Sequence, residues 1–236
     1  MNPTAELFRD DATLLRCKAT VLGAEEGGGL ILDRTVAYPL GGGQAGDAGW
    51  IRAGAQALRF GDTRKSKLHP GAILHLIEGE PLEPGTAVTV ELDAPRRQAH
   101  RRFHTATHLL CALLPHPVDG CSITETYARL DFHTDEAFDK EALQAGLARL
   151  VAEARPVRAR WISEAELDAN PSLVRSMSVQ PPRGLGRIRV IEVEGVDLQP
   201  CGGTHVANTA EIGAVVVTKI EKKSAKTRRV VLGLDD

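Results

Sequence analysis

Between residues 13 and 93 the chain never stays apolar for long. TLLRCKATVLG, GGLILDRTVAYP, ALRFGDTRK, AILHLIEG and GTAVTVELD follow one another, with glycine or proline punctuating the joins. Runs of that length, cut by turn residues, specify short strands. Many short strands must close or stack their sheet, so residues 1–93 read as a small β-barrel-like or sandwich domain. Near residue 94 the period changes. Asp93 is placed to cap a helix, Pro95 falls in a first turn where its missing N–H costs nothing, and APRRQAHRRFHTATHLLCALL continues at helical spacing.

The remainder, residues 94–236, reads as α+β. A second helix is predicted over 135–154, where Phe138, Leu143, Leu147, Leu150 and Val151 recur at helical intervals. Ser163 with Glu166 forms the pattern of a capping box on a short third helix. Strand-like runs follow at 187–194, 213–220 and 228–233. Helices and strands mix without a βαβ rhythm, and there is no internal repeat.

Composition narrows the function classes. With 236 residues and 42% hydrophobic residues the chain can bury a sizeable core, and no stretch approaches the length of a membrane span. MNPTAELFRDDATLL carries charge early and lacks the apolar segment of a secretory signal. The four cysteines (Cys17, Cys111, Cys121, Cys201) follow no disulfide framework, so reduced thiols and a cytoplasmic location are expected. A net charge of −2 excludes a globally basic nucleic-acid binder but leaves room for a basic patch.

Two short strings concentrate chemistry. HTATH sets His104 and His108 four apart, on one face of the first helix, and CGGTHV sets Cys201 and His205 around two glycines. Either pair alone is ordinary: histidines four apart are commonly packed or solvated. Together they offer three imidazoles and a thiolate, one pair on a rigid helix and the other in a loop free to wrap around an ion. That donor set suits Zn2+. Thr105 stands where a zinc peptidase of the H-E-x-x-H type has glutamate, so that chemistry is excluded. Non-haem iron would require a carboxylate ligand that no spacing supplies.

YPLGGGQAGDAG (38–49), HTATHLL (104–110) and CGGTHV (201–206), in this order, resemble the editing domain of alanyl-tRNA synthetases and the freestanding alanyl-tRNA editing proteins. A more distant likeness is to the editing region of threonyl-tRNA synthetases. The resemblance spans most of residues 10–233 and is nearest to the freestanding form with an additional N-terminal β domain. It implies a zinc-binding editing domain at 94–236, with His104, His108, Cys201 and His205 as ligands. The implied activity is hydrolysis of serine or glycine from the alanine tRNA, so the expected partner is a mischarged tRNA acceptor end, with neither membrane nor DNA involved. Ala45 departs from the family's usual proline in the glycine-rich motif.

Several finer expectations follow. Four protein ligands make a closed tetrahedron, whereas catalytic zinc ordinarily keeps an open position; the sequence leaves open whether zinc acts on water or organises the pocket, and names no general base. Gly42, Gly43 and Gln44 stand either as a plain turn or as exposed backbone and an amide facing the zinc across a cleft between the domains. Thr105, Thr107, Ser122, Thr124 and Thr204 are hydroxyls available to recognise serine, with Thr105 and Thr204 assigned to the substrate. KIEKKSAKTRR (219–229) supplies Lys222, Lys223, Lys226, Arg228 and Arg229 as RNA contacts, and PRRQAHRR (95–102) offers four more arginines. His100 reads as a surface histidine, and Cys17, Cys111 and Cys121 as packing residues. A zinc module that binds tRNA without hydrolysis, and a hydrolase for seryl-tRNA of threonine, remain open alternatives.

Overall fold

The computed structural model describes residues 2–177, 180–181, 183–184 and 186–235. It is mostly β and divides into two compact units, Met1–Gln98 and Ala99–Asp236. No helix among the described residues is long and apolar enough to cross a membrane.

The first unit is a closed barrel, in keeping with its short apolar runs. Its strands are β2 (Arg16–Glu25), β3 (Gly29–Leu32), β5 (Gly49–Ala53), β6 (Gln56–Lys65), β7 (Ile73–Ile77) and β8 (Ala87–Leu92). They close in the order β2-β3-β7-β6-β5-β8, every neighbouring pair antiparallel. Two short strands, β1 (Ala5–Glu6) and β4 (Arg34–Thr35), pair in parallel beside it. Closure removes the free edges that short strands would otherwise expose. Val21, Leu30, Leu32, Ile51, Phe60, Val90 and their neighbours fill the interior.

The glycine-rich string between β4 and β5 is a tight turn. Gly41 and Gln44 exchange backbone hydrogen bonds of 3.1 and 3.0 Å, and Gly42 and Gly43 between them have φ of 59° and 85°. Positive φ at both central positions is the signature of a type I′ turn, which glycine adopts without strain. Gly46 serves differently: a Cβ there would fall 2.3 Å from the Thr63 carbonyl oxygen. Asp47 then receives the Tyr38 N–H (2.6 Å) and a forked ion pair from Arg97, whose Nε lies 3.2 and 3.1 Å from the two carboxylate oxygens. Arg97 is only 1% exposed, and it also donates to the carbonyls of Ala12 and Val36.

α1 (Ala94–Leu113) begins in the first unit and continues into the second. Asp93 caps it through Oδ1, which accepts the Arg96 N–H at 3.1 Å. Within the second unit, β9 (Val118–Ile123), β10 (Ala128–His133), β14 (Val215–Ser224) and β15 (Thr227–Leu234) form a sheet ordered β14-β15-β10-β9. A second sheet holds β11 (Val157–Ser163), β12 (Arg187–Val193) and β13 (Asp197–Pro200). α2 (Lys140–Ala152) starts five residues later than its periodicity predicts, because the Asp139 side chain accepts the N–H groups of Glu141 and Ala142 and fixes the start there. α3 (Glu164–Ala169) carries the expected capping box between Ser163 and Glu166.

The core of this unit sets Phe103, Ala106, Leu109 and Leu110 of α1 with Leu130 and Phe132 of β10, Val230 and Leu232 of β15, and Leu143, Leu147 and Leu150 of α2. Each buried Leu, Val or Phe side chain among them stabilises by roughly 1.5–3 kcal/mol. The apolar stripe of α1 thereby fixes how its histidines are presented.

Candidate metal centre

α1 presents His104 and His108 one turn apart, while Cys201 follows directly on β13 and His205 lies four residues further. Strand alternation puts Asp197, Gln199 and Cys201 on one face. One ligand atom from each of His104, His108, Cys201 and His205 lies within 4.8 Å of all the others. The Cys201 Sγ is 3.4 Å from His104 Nε2 and 3.2 Å from His205 Nε2. The His104 and His205 rings are centred 4.3 Å apart, and the His108 and His205 rings 4.7 Å apart.

The CGGTH loop is held from both sides by buried arginines. Arg189 of β12 donates through one guanidinium nitrogen to the carbonyls of Cys201 (2.8 Å) and Gly203 (3.1 Å), and its own carbonyl accepts the Cys201 N–H at 3.1 Å. Arg101 of α1 donates Nε–H to the His205 carbonyl at 2.8 Å. The Gly203 N–H points at Cys201 Sγ across 3.4 Å, a contact that favours a sulfur carrying negative charge.

The electrostatics agree. Burial pushes the Cys201 thiol up, but the adjacent His104 and His205 outweigh it and hold the thiol well below its ordinary value. Burial and His104 push His205 well down. Burial alone would lower His108 too, yet its hydrogen bonds to Asp197 and Cys201 raise it to about 10. A thiolate facing His104, His205 and a His108 that gives up its second proton on binding is a nitrogen-and-sulfur donor set that fits a divalent metal.

Thr105, Thr107 and Thr124 already have hydrogen-bond partners. The Thr105 hydroxyl touches the Arg101 carbonyl, His205 Nδ1 and the Val206 N–H. Thr107 donates to the His104 carbonyl at 2.7 Å, and Thr124 organises its own turn with Thr126 and Tyr127. Thr204 is buried, while Ser122 is half-buried on β9. Gly42, Gly43 and Gln44 belong to the barrel unit, and Gln44 is fully buried.

The basic clusters divide into exposed lysines and engaged arginines. Lys222, Lys223 and Lys226 are exposed at the β14–β15 hairpin. Arg228 is buried, donating to the carbonyls of Ser224, Thr227 and Asp135, and Arg229 forks onto Asp131 at 2.6 and 2.9 Å. The arginines of 95–102 are turned inward as well. Arg96 donates to the Gly46 carbonyl, Arg102 to the Ile212 carbonyl, and Arg97 and Arg101 are buried. His100 is also fully buried rather than on the surface, since α1 is enclosed on all sides along 103–111 and His100 lies one turn ahead of that stretch.

Sequence reasoning missed four residues that shape the centre: Asp197, Gln199, Arg189 and Arg101. The D-x-Q-x-C spacing at 197–201 was the legible signal, because period two puts all three side chains on one face. Nothing local marks the two arginines.

The "Threonyl and Alanyl tRNA synthetase second additional domain" family matches residues 188–231, and "tRNA synthetases class II (A)" matches residues 12–96. The alanyl-tRNA editing protein AlaX-M of Methanosarcina barkeri is 32% identical over 99% of this chain and 100% of its own length. Its counterpart in Methanosarcina mazei is 31% identical over 99% and 97%. The alanine–tRNA ligase of Methanothrix thermoacetophila is 36% identical over 90% of this chain but only 23% of its own length. The chain therefore belongs to the alanyl-tRNA editing protein family.

Proposed function

We propose that this enzyme is a trans-editing deacylase that hydrolyses the ester joining serine, and also glycine, to the alanine tRNA, with zinc at His104, His108, Cys201 and His205. The observation that carries the reading is the convergence of three imidazoles and one thiol within 4.8 Å, from segments 97 residues apart. Full-length similarity to alanyl-tRNA editing proteins supplies the substrate class.

The chemistry gives the reaction a purpose. A pocket built for alanine discriminates weakly against glycine, smaller by a methyl, and against serine, larger by a hydroxyl. Hydrolysis of the wrong ester at a second site restores accuracy. Zinc bound here supplies Lewis acidity toward the ester carbonyl or an anchor for the substrate. The protein's part is placement: α1 fixes two imidazoles, and Arg101 and Arg189 hold the loop that bears Cys201 and His205. Gly42, Gly43 and Gln44, for their backbone and amide groups, and Thr204, for its hydroxyl beside the metal ligands, are assigned to substrate recognition. Lys222, Lys223 and Lys226 are assigned to tRNA phosphates, because their ammonium groups are exposed.

The test is deacylation of seryl-, glycyl- and alanyl-tRNA for alanine at equal concentrations, with and without a chelator. Seryl-tRNA should be hydrolysed fastest and alanyl-tRNA largely spared, and chelation or Cys201→Ala should remove most activity together with stoichiometric zinc. Equal hydrolysis of alanyl- and seryl-tRNA would overturn the editing assignment. Preference for seryl-tRNA of threonine would move the substrate to the neighbouring class.

A further inference from the structure

Two of the three clustered imidazoles have their outer nitrogen engaged by a different kind of partner. His108 Nδ1 lies 2.9 Å from Asp197 Oδ2, and both side chains are nearly inaccessible to solvent. The same carboxylate oxygen accepts Gln199 Nε2–H at 2.8 Å, so Asp197 is itself held in place. Since a carboxylate only accepts, His108 must carry its proton on Nδ1, and its Nε2 faces the cluster. Burying this carboxylate costs several kcal/mol unless it is paired, and its partners are this imidazole and this amide.

His205 is engaged by a hydroxyl instead. Its Nδ1 lies 3.2 Å from Thr105 Oγ1. That oxygen donates its one hydrogen to the Arg101 carbonyl at 2.9 Å and accepts the Val206 N–H at 3.2 Å. A hydroxyl has one donor and two lone pairs, so the remaining position is an acceptor, filled by His205 Nδ1–H. The Nε2 of His205 is left bare, and it is this atom that lies 3.2 Å from Cys201 Sγ.

We infer that Asp197 and Thr105 are positioning residues that fix the tautomers and ring orientations of His108 and His205, so that both present Nε2 to one metal ion. This rests on the metal-site reading above and gives Thr105 a role other than the substrate contact expected of it. The two supports are unequal. A carboxylate strengthens the donor power of the imidazole it binds more than a hydroxyl does, so Asp197 carries the larger share of metal affinity.

The test measures zinc affinity of the full chain by competition with a chromophoric chelator, alongside the visible absorption of the cobalt-substituted protein. Asp197→Ala should weaken zinc binding about 10–100-fold, the range for loss of such a partner, and Asp197→Asn less, with cobalt bands shifted in both. Thr105→Val should weaken binding by a smaller factor, and Thr105→Ser, which restores the hydroxyl, should return affinity to the wild-type value. Circular dichroism identifies any variant that fails to fold; Asp197→Asn and Thr105→Val keep the side-chain shape and leave the test intact if Asp197→Ala does not. Wild-type affinity and unchanged cobalt bands in folded Asp197→Asn and Thr105→Val would overturn the inference while leaving the metal site standing. Failure of the wild-type protein to take up zinc would overturn the metal site and the inference with it.

Discussion

GGGQ in the barrel unit and CGGTH in the second unit look alike on paper, yet their glycines work differently. At Gly42 and Gly43 the backbone itself is bent to positive φ, and the product is a closed turn. In the second string the peptide groups are the working parts: the Gly203 N–H reaches the Cys201 sulfur and the Gly203 carbonyl accepts from Arg189. Glycine density alone therefore says little about chemistry. What separates the strings is the company each keeps: a buried arginine–carboxylate pair for one, three imidazoles and a thiol for the other.

If the glycine-rich motif of the barrel owes its shape to that ion pair, removing one partner should give the largest loss of stability. Asp47→Ala strands the Arg97 guanidinium, 1% exposed, and should cost about 3–5 kcal/mol in chemical denaturation, with zinc affinity unchanged in the fraction that remains folded. A loss below about 1 kcal/mol would show that the turn stands without it.

Acid distinguishes the units next. In the barrel, His75 is fully buried, bonded to Thr35 Oγ1 at 2.8 Å and to the Leu30 carbonyl at 3.1 Å. Burial outweighs the Leu30 bond and brings its pKa down to about 4 from 6.5. The folded value lies below the unfolded one, so the unfolded chain takes the proton first. Its contribution is complete above pH 6.5 and declines as pH falls toward 4, by a total of about 3 kcal/mol. Trp50, on β5, reports on the barrel by fluorescence. His75→Gln should flatten this part of the acid limb, and an unaltered slope would refute the assignment.

The smallest effect separates the strings themselves. Gly43→Ala should cost about 1–2 kcal/mol through left-handed strain and leave zinc affinity untouched. Gly203→Ala should act chiefly on zinc affinity; the converse pattern would abolish the distinction.

The sequence made the barrel legible because short runs and turn residues are local signals, and it made the candidate ligands legible because each pair sits within one helical turn or one short loop. The α3 capping box was readable for the same reason. Arg189, Arg101 and the inward turn of Arg228 and Arg229 were hidden, since each depends on a carbonyl or carboxylate distant in the chain. A cationic string reads as solvated until the acceptors that fold against it are known. The DxQxC pattern lay between these cases: its period was visible, but its meaning required His108 opposite.

The separation of the two ligand pairs has a thermodynamic consequence. An ion held by His104 and Cys201 ties together points 97 residues apart, as a cross-link closing a long loop would. Binding to the folded chain alone adds RT ln(1 + [M]/Kd), about 4 kcal/mol at a thousandfold excess over Kd. The melting temperature of the second unit thereby becomes a readout of free metal in its surroundings.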